Sequence, residues 1–106
     1  MIMKIAAIVF LLSIIVCSNA YSSEHEVGQK NKAFSQKTLK VKVGDTVHFT
    51  NQDPFFHNVY SMSETTAFDL GSYAKGNSKS VKFEKQGEVV VQCAIHPFMK
   101  MKIKVE

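Results

Sequence analysis

Leu39-Lys40-Val41-Lys42-Val43-Gly44-Asp45-Thr46-Val47-His48-Phe49-Thr50 decides the fold class. Apolar and polar residues alternate on both sides of Gly44-Asp45, the period of a half-buried strand. Gly-Asp between two such runs reads as a turn, and the pair as a hairpin. Beyond this stretch, Asn51-Gln52-Asp53-Pro54 is a loop, and His57 to Ser61 resumes a strand. Ser80 to Phe83 alternates again, Gln86-Gly87 turns the chain, and Glu88 to Cys93 is rich in β-branched residues. Lys100 to Val105 alternates lysine with Met, Ile and Val. Residues 62–77 read mainly as connections, and residues 21 to about 27 as a loose polar start. Short strands, close turns and no amphipathic helix predict an all-β sandwich.

The chain has 106 residues, which suits one domain. With 45% hydrophobic and 21% charged residues it is globular rather than disordered. Residues 1–20 read as a cleaved signal peptide: Lys4, then an apolar run from Ile5 to Val16, then Ser18-Asn19-Ala20 with small residues where a signal peptidase reads. A run of about 12 residues falls short of the roughly 20 that a membrane span needs. Cys17 raises lipidation, which the bulky Val16 before it disfavours. Removing residues 1–20 leaves an 86-residue domain over 21–106, exported to the periplasm and with no membrane span. Lys4 is the only charge removed, so the formal +4 becomes +3. Scattered lysine without arginine argues against nucleic-acid binding, though it can steer an acidic partner.

Loss of Cys17 leaves Cys93 alone, so no internal disulfide is possible. Such a thiol is buried and inert, paired between chains, or bound to metal. Its neighbours decide. In Cys93-Ala94-Ile95-His96-Pro97-Phe98-Met99, three metal-binding side chains stand at i, i+3 and i+6 between two expected strands, and His57 lies upstream at a strand start. One thiolate, two imidazoles and a thioether suit a single copper ion cycling between Cu(I) and Cu(II), with the thioether as weak axial ligand. Zinc rarely takes thioether. A c-type haem needs a second cysteine before the histidine.

His57-Asn58-Val59 followed by Cys93-x-x-His96-Pro97-x-Met99, with Val43-Gly44-Asp45-Thr46-Val47 upstream, resembles the cupredoxin family of blue copper proteins, and most closely its amicyanin- and plastocyanin-like members. The match runs from about Leu39 to Val105. It implies a Greek-key sandwich, with His57, Cys93 and His96 as equatorial ligands and Met99 as the axial one. Asn58 would offer its N–H to the Cys93 sulfur and link the two ligand loops. Pro97, lacking N–H, would remove one possible donor. Pro97, Phe98 and Phe55 or Phe56 would form an apolar collar at the His96 edge, where the electron leaves. Met101, two residues beyond Met99, would lie on the same side and is the one competing thioether.

His48 reads as a solvated strand histidine, His25 as part of the loose start and Met62 as packing. Glu64 and Asp69 form no acid–base pair. With no open coordination position and no His-x-His pairs of a multicopper oxidase, the chain reads as a monomeric one-electron carrier and not an enzyme. The resemblance suggests an amine dehydrogenase as donor and a c-type cytochrome as acceptor. The alternatives are a periplasmic copper-handling protein for storage or delivery and, behind it, a structural sandwich with a vestigial site.

Overall fold

The computed structural model describes residues 22–106. The signal-peptide reading of residues 1–20 and the question of Cys17 fall outside them. Nine strands, and no helix, make up the described residues: β1 Glu24–Lys30, β2 Ala33–Phe34, β3 Thr38–Val41, β4 Thr46–Asn51, β5 His57–Met62, β6 Ala67–Tyr73, β7 Ser78–Lys82, β8 Gly87–Gln92 and β9 Lys100–Val105. They form two sheets, one in the order β2-β1-β4-β7 and the other in the order β3-β9-β8-β5-β6.

Three readings change. Residues 24–30 are not loose but form β1, paired in parallel with β4 from Glu24↔Thr46 to Gln29↔Asn51. The region 62–77 contains β6, which pairs with β5. The alternating runs around Gly44 are not a hairpin. β3 pairs in parallel with β9 in one sheet, whereas β4 lies in the other. The turn therefore carries the chain from one layer to the next. Gly44 takes φ 95° there, a left-handed conformation that glycine adopts without Cβ strain.

The inward residues of both sheets meet in one core of Val27, Phe34, Val41, Val47, Phe49, Val59, Phe83, Val89, Val91, Ile103 and Val105. Phe34 meets Phe49, and Phe68 meets Phe83, edge to face at centroid distances of 6.4 and 6.2 Å. Each fully buried Phe or Val stabilises the sandwich by about 1.5–3 kcal/mol. Cys93, Met99 and Met101 are buried at one end of this core.

Candidate metal centre

Two loops at that end hold the candidate ligands. The first joins β4 to β5. Asn51, fully buried, donates from Nδ2 to the Phe55 carbonyl at 2.8 Å and to the Tyr73 carbonyl at 2.9 Å, and its Oδ1 accepts from Asp53 N at 2.8 Å. One side chain thus shapes the loop that delivers His57 to the start of β5. The second loop joins β8 to β9. Cys93 N–H donates to the Met99 carbonyl at 3.2 Å, and Met99 N–H to the His96 carbonyl at 2.9 Å. These bonds fold residues 93–99 back on themselves. Ala94 N–H donates to Asn58 Oδ1 at 3.2 Å, which joins the loops, while Asn58 Nδ2 reaches Asp69 Oδ1 at 3.1 Å.

His57, Cys93 and His96 converge, with one ligand atom from each lying within 4.8 Å of the others. The Cys93 sulfur is 3.7 Å from His57 Nδ1 and 3.9 Å from His96 Nδ1. Metal–nitrogen and metal–sulfur bonds of about 2.0 and 2.3 Å at a trigonal angle span about 3.7 Å. The spacing and the N₂S donor set therefore fit copper. Met99 is buried where the loop enters β9, and Met101, on the same side of the strand, is buried beyond it.

Asp53 escaped the sequence reading. It is 4% exposed. Its Oδ2 accepts from His57 Nε2 at 2.7 Å and from Lys32 N at 3.0 Å, and its Oδ1 from Asn31 N at 2.7 Å. Burial pushes the carboxyl pKa up. The Lys32 amide, the His57 ring and the Asn31 amide outweigh that and hold it below the usual carboxylate value. An ionised carboxylate only accepts, so His57 carries its proton on Nε2 and turns the Nδ1 lone pair toward Cys93. This is the carboxylate–histidine pairing common behind metal ligands. The two donors at residues 31 and 32 sit in the β1–β2 turn with φ 55° and 57°. Positive φ at both central positions is a type I′ signature, normally filled by Asn-Gly. The Asp53 bonds offset the strain of a lysine there.

Phe55 packs on both histidine rings, at 5.2 Å from His57 and 5.3 Å from His96. Phe98 lies 6.2 Å from His96. His57 is fully buried and His96 half-buried, among exposed Ile95, Pro97 and Phe98. Burial first, then the neighbouring His57 and Lys32, lowers the His96 pKa. Phe56 is 57% exposed and so extends the apolar rim rather than the ring stack. Of the remaining histidines, His48 pairs with Glu24 at 3.2 Å on the open sheet face. His25 lies within β1, bonded to Asp45 at 2.9 Å.

A two-layer β-sandwich with one Cys and two His meeting at its end defines a small single-metal protein. Comparison with known proteins identifies the metal. A family model for copper-binding proteins of the plastocyanin/azurin family matches residues 21–106. The methylamine utilization protein MauL of Methylorubrum extorquens is 32% identical over 87 residues, 81% of this chain and 76% of that protein. Amicyanin of Paracoccus denitrificans is 35% identical over 71 residues, 64% of this chain and 54% of amicyanin. A solved structure of an amicyanin variant with Cu(I) superposes with a TM-score of 0.73 at 29% identity, over 78% of this chain and 82% of that one. A copper-containing nitrite reductase from Thermus scotoductus also gives 0.73, at 30% identity, but only 22% of that longer chain is covered. The chain belongs to the plastocyanin/azurin family of copper-binding proteins. Copper is its cofactor and single-electron transfer its function.

Proposed function

We propose that this protein would hold one copper through His57, Cys93, His96 and Met99, and that it carries electrons between proteins in the bacterial periplasm without itself being an enzyme. The observation that carries the reading is the meeting of two Nδ1 atoms and one sulfur at 3.7 and 3.9 Å. Bound copper supplies a site that accepts and returns one electron by alternating between Cu(II) and Cu(I). The chain's own residues do the rest. Asp53 holds the His57 ring, Asn58 joins the loops, and Phe55 excludes water from between the two imidazoles. The half-buried His96 edge, rimmed by Phe98 and Ile95, is the exit for the electron. Residues 1–20 act as the export signal and 21–106 as the working domain. A relative named for methylamine utilization supports an amine-oxidising dehydrogenase as donor, and a c-type cytochrome is the matching acceptor.

The test is a visible spectrum of residues 21–106 with one equivalent of Cu(II). An intense band that ascorbate bleaches and ferricyanide restores is the expected result, and Cys93→Ser removes it. A Cys93→Ser protein that stays blue sinks the ligand set. Met99→Leu should shift the reduction potential with copper retained, whereas Met101→Leu leaves it in place. The reverse result would put Met101 in place of Met99 among the residues that hold copper. Rapid loss of copper to a chelator, with no reversible couple, would point to copper handling.

A further inference from the structure

One half of a sheet face carries the protein's excess charge. On β9 the inward residues are Met101, Ile103 and Val105, which turns Lys100, Lys102 and Lys104 outward. On the neighbouring β3, Lys40 lies directly beside Lys104 and Thr38 beside Lys102. Lys37, just before β3, is exposed and lines one shallow groove with Thr38, Val90, Lys100 and Lys102. Outward positions on the other neighbour, β8, are Glu88, Val90 and Gln92, opposite Lys104, Lys102 and Lys100. Glu88 is the one acid among them and lies 3.5 Å from Lys102.

The described residues contain twelve lysines and nine acids. Five of those lysines and one acid lie on this half-face, a net of +4. The rest of the described residues, seven lysines and eight acids, sum to −1. Lys42 and Glu106, exposed at the end away from the ligand loop, cancel and leave the figure unchanged. The positive excess is therefore localised, not scattered.

Stability does not account for this. Like charges directly opposite across a strand pair destabilise the sheet, and Lys40 faces Lys104 in that way. Lysine does protect open sheet edges, which covers Lys40 on the edge strand β3, but β9 is paired on both sides, with β3 and β8, so its three outward lysines protect no edge. Outward lysines on one strand stand about 7 Å apart and the next strand about 4.8 Å away. Those spacings fall within a screening length of about 8 Å at physiological salt, so the fields add. The stripe also has a direction. It starts at Lys100, the residue after Met99, and runs away from the ligand loop.

We infer that the outward half-face of β3 and β9 is an electrostatic docking surface for the acidic face of a redox-protein partner. The inference rests on the electron-carrier reading. A partner seated on Lys100, Lys102 and Lys40 is held on the face that begins where the ligand loop enters β9. Its charge is set by complementarity, because a polyanionic patch cancels four uncompensated lysines in one contact.

The test uses one haem protein in two charge forms: mitochondrial cytochrome c, which is lysine-rich, and the same protein succinylated so that its lysines become carboxylates. Stopped-flow electron exchange with the copper-loaded protein is followed from low to high salt. The succinylated form should react at least about tenfold faster than the unmodified form at low salt, an advantage that fades as salt rises. Lys102→Glu with Lys104→Glu should remove that advantage. Lys82→Glu with Lys85→Glu, the same charge change on and beyond β7, should leave it within about twofold. Glu88→Lys should enlarge it, and this single change decides the matter if the double variant on β9 fails to fold. Equal losses from the two double variants, or a salt-independent rate, would overturn the proposal. Absence of a reversible copper couple in the unmodified protein would instead overturn the carrier reading, and the docking surface would fall with it.

Discussion

Asp45 and Asp53 lie just before and just after β4, at opposite ends of the sandwich, and they are wired alike. In each, Oδ1 accepts one backbone N–H, from Ser23 at the first and Asn31 at the second. In each, Oδ2 accepts a second backbone N–H, from Lys42 or Lys32, and a histidine Nε2, from His25 or His57. The difference lies beyond the histidine. His25 is 25% exposed and stops at the surface, whereas His57 is fully buried with its other nitrogen 3.7 Å from the Cys93 sulfur. The same device therefore fastens β1 to β4 at one end and aims a ligand at the other. A buried aspartate with a histidine is not by itself a sign of chemistry. What the second imidazole nitrogen faces decides.

The largest contrast between the two ends should appear in copper affinity. Asp53→Ala should weaken it about 10–100-fold, the usual effect of losing a carboxylate behind a metal-bound histidine. Asp45→Ala should leave it within about twofold. Competition with a chelator of known strength measures both, and equal effects would erase the distinction. Stability should show what the Asp45 bonds hold. Asp45→Asn replaces an acceptor with a donor facing N–H groups and should cost about 1–3 kcal/mol in urea unfolding of the apoprotein. Copper binding should be unchanged.

Acid should separate wild type from Asp45→Asn by a smaller amount. The hydrogen bond from His25, followed by the Lys42 amide, pulls Asp45 from 3.8 down to about 2. A carboxyl with a lowered folded-state pKa stabilises fully above its unfolded value and loses that contribution as pH falls toward the folded one. Wild type should therefore lose stability more steeply than Asp45→Asn between about pH 4 and pH 2. Parallel loss in the two proteins would remove Asp45 from the account.

How legible these features were depends on what a sequence pattern encodes. β4 and β9 were readable because their alternation matches their burial, iBiBiB and eBeBiB in the order of the residues. Alternation assigns faces, however, not partners. The same pattern on β3 therefore reads as a hairpin with β4, whereas β3 pairs with β9. β1 was unreadable because its three consecutive buried residues, Val27, Gly28 and Gln29, include only one large apolar side chain. β6 was hidden by Asp69 and Gly71 among its apolar residues. At the site, Cys93, His96 and Met99 stand close in sequence, so their common chemistry was visible. Asp53 carries no such signal. Its position four residues before His57 was the available clue, and only the fold brings Asn31 and Lys32 to it.

The parallel pairing of β3 with β9 sets an order of assembly. Thr38 finds its partner only at Lys102, and β9 lies between β3 and β8. Pairings this remote in sequence form late, because the intervening chain must be closed into a loop first. Cys93, His96 and Met99 stand on the stretch that leads into β9. A chain emerging from its amino end thus shows the Cys93 thiol and the Met99 and Met101 thioethers to the surroundings until that strand docks. The interval before docking is when Cys93 is open to oxidation or to the wrong metal.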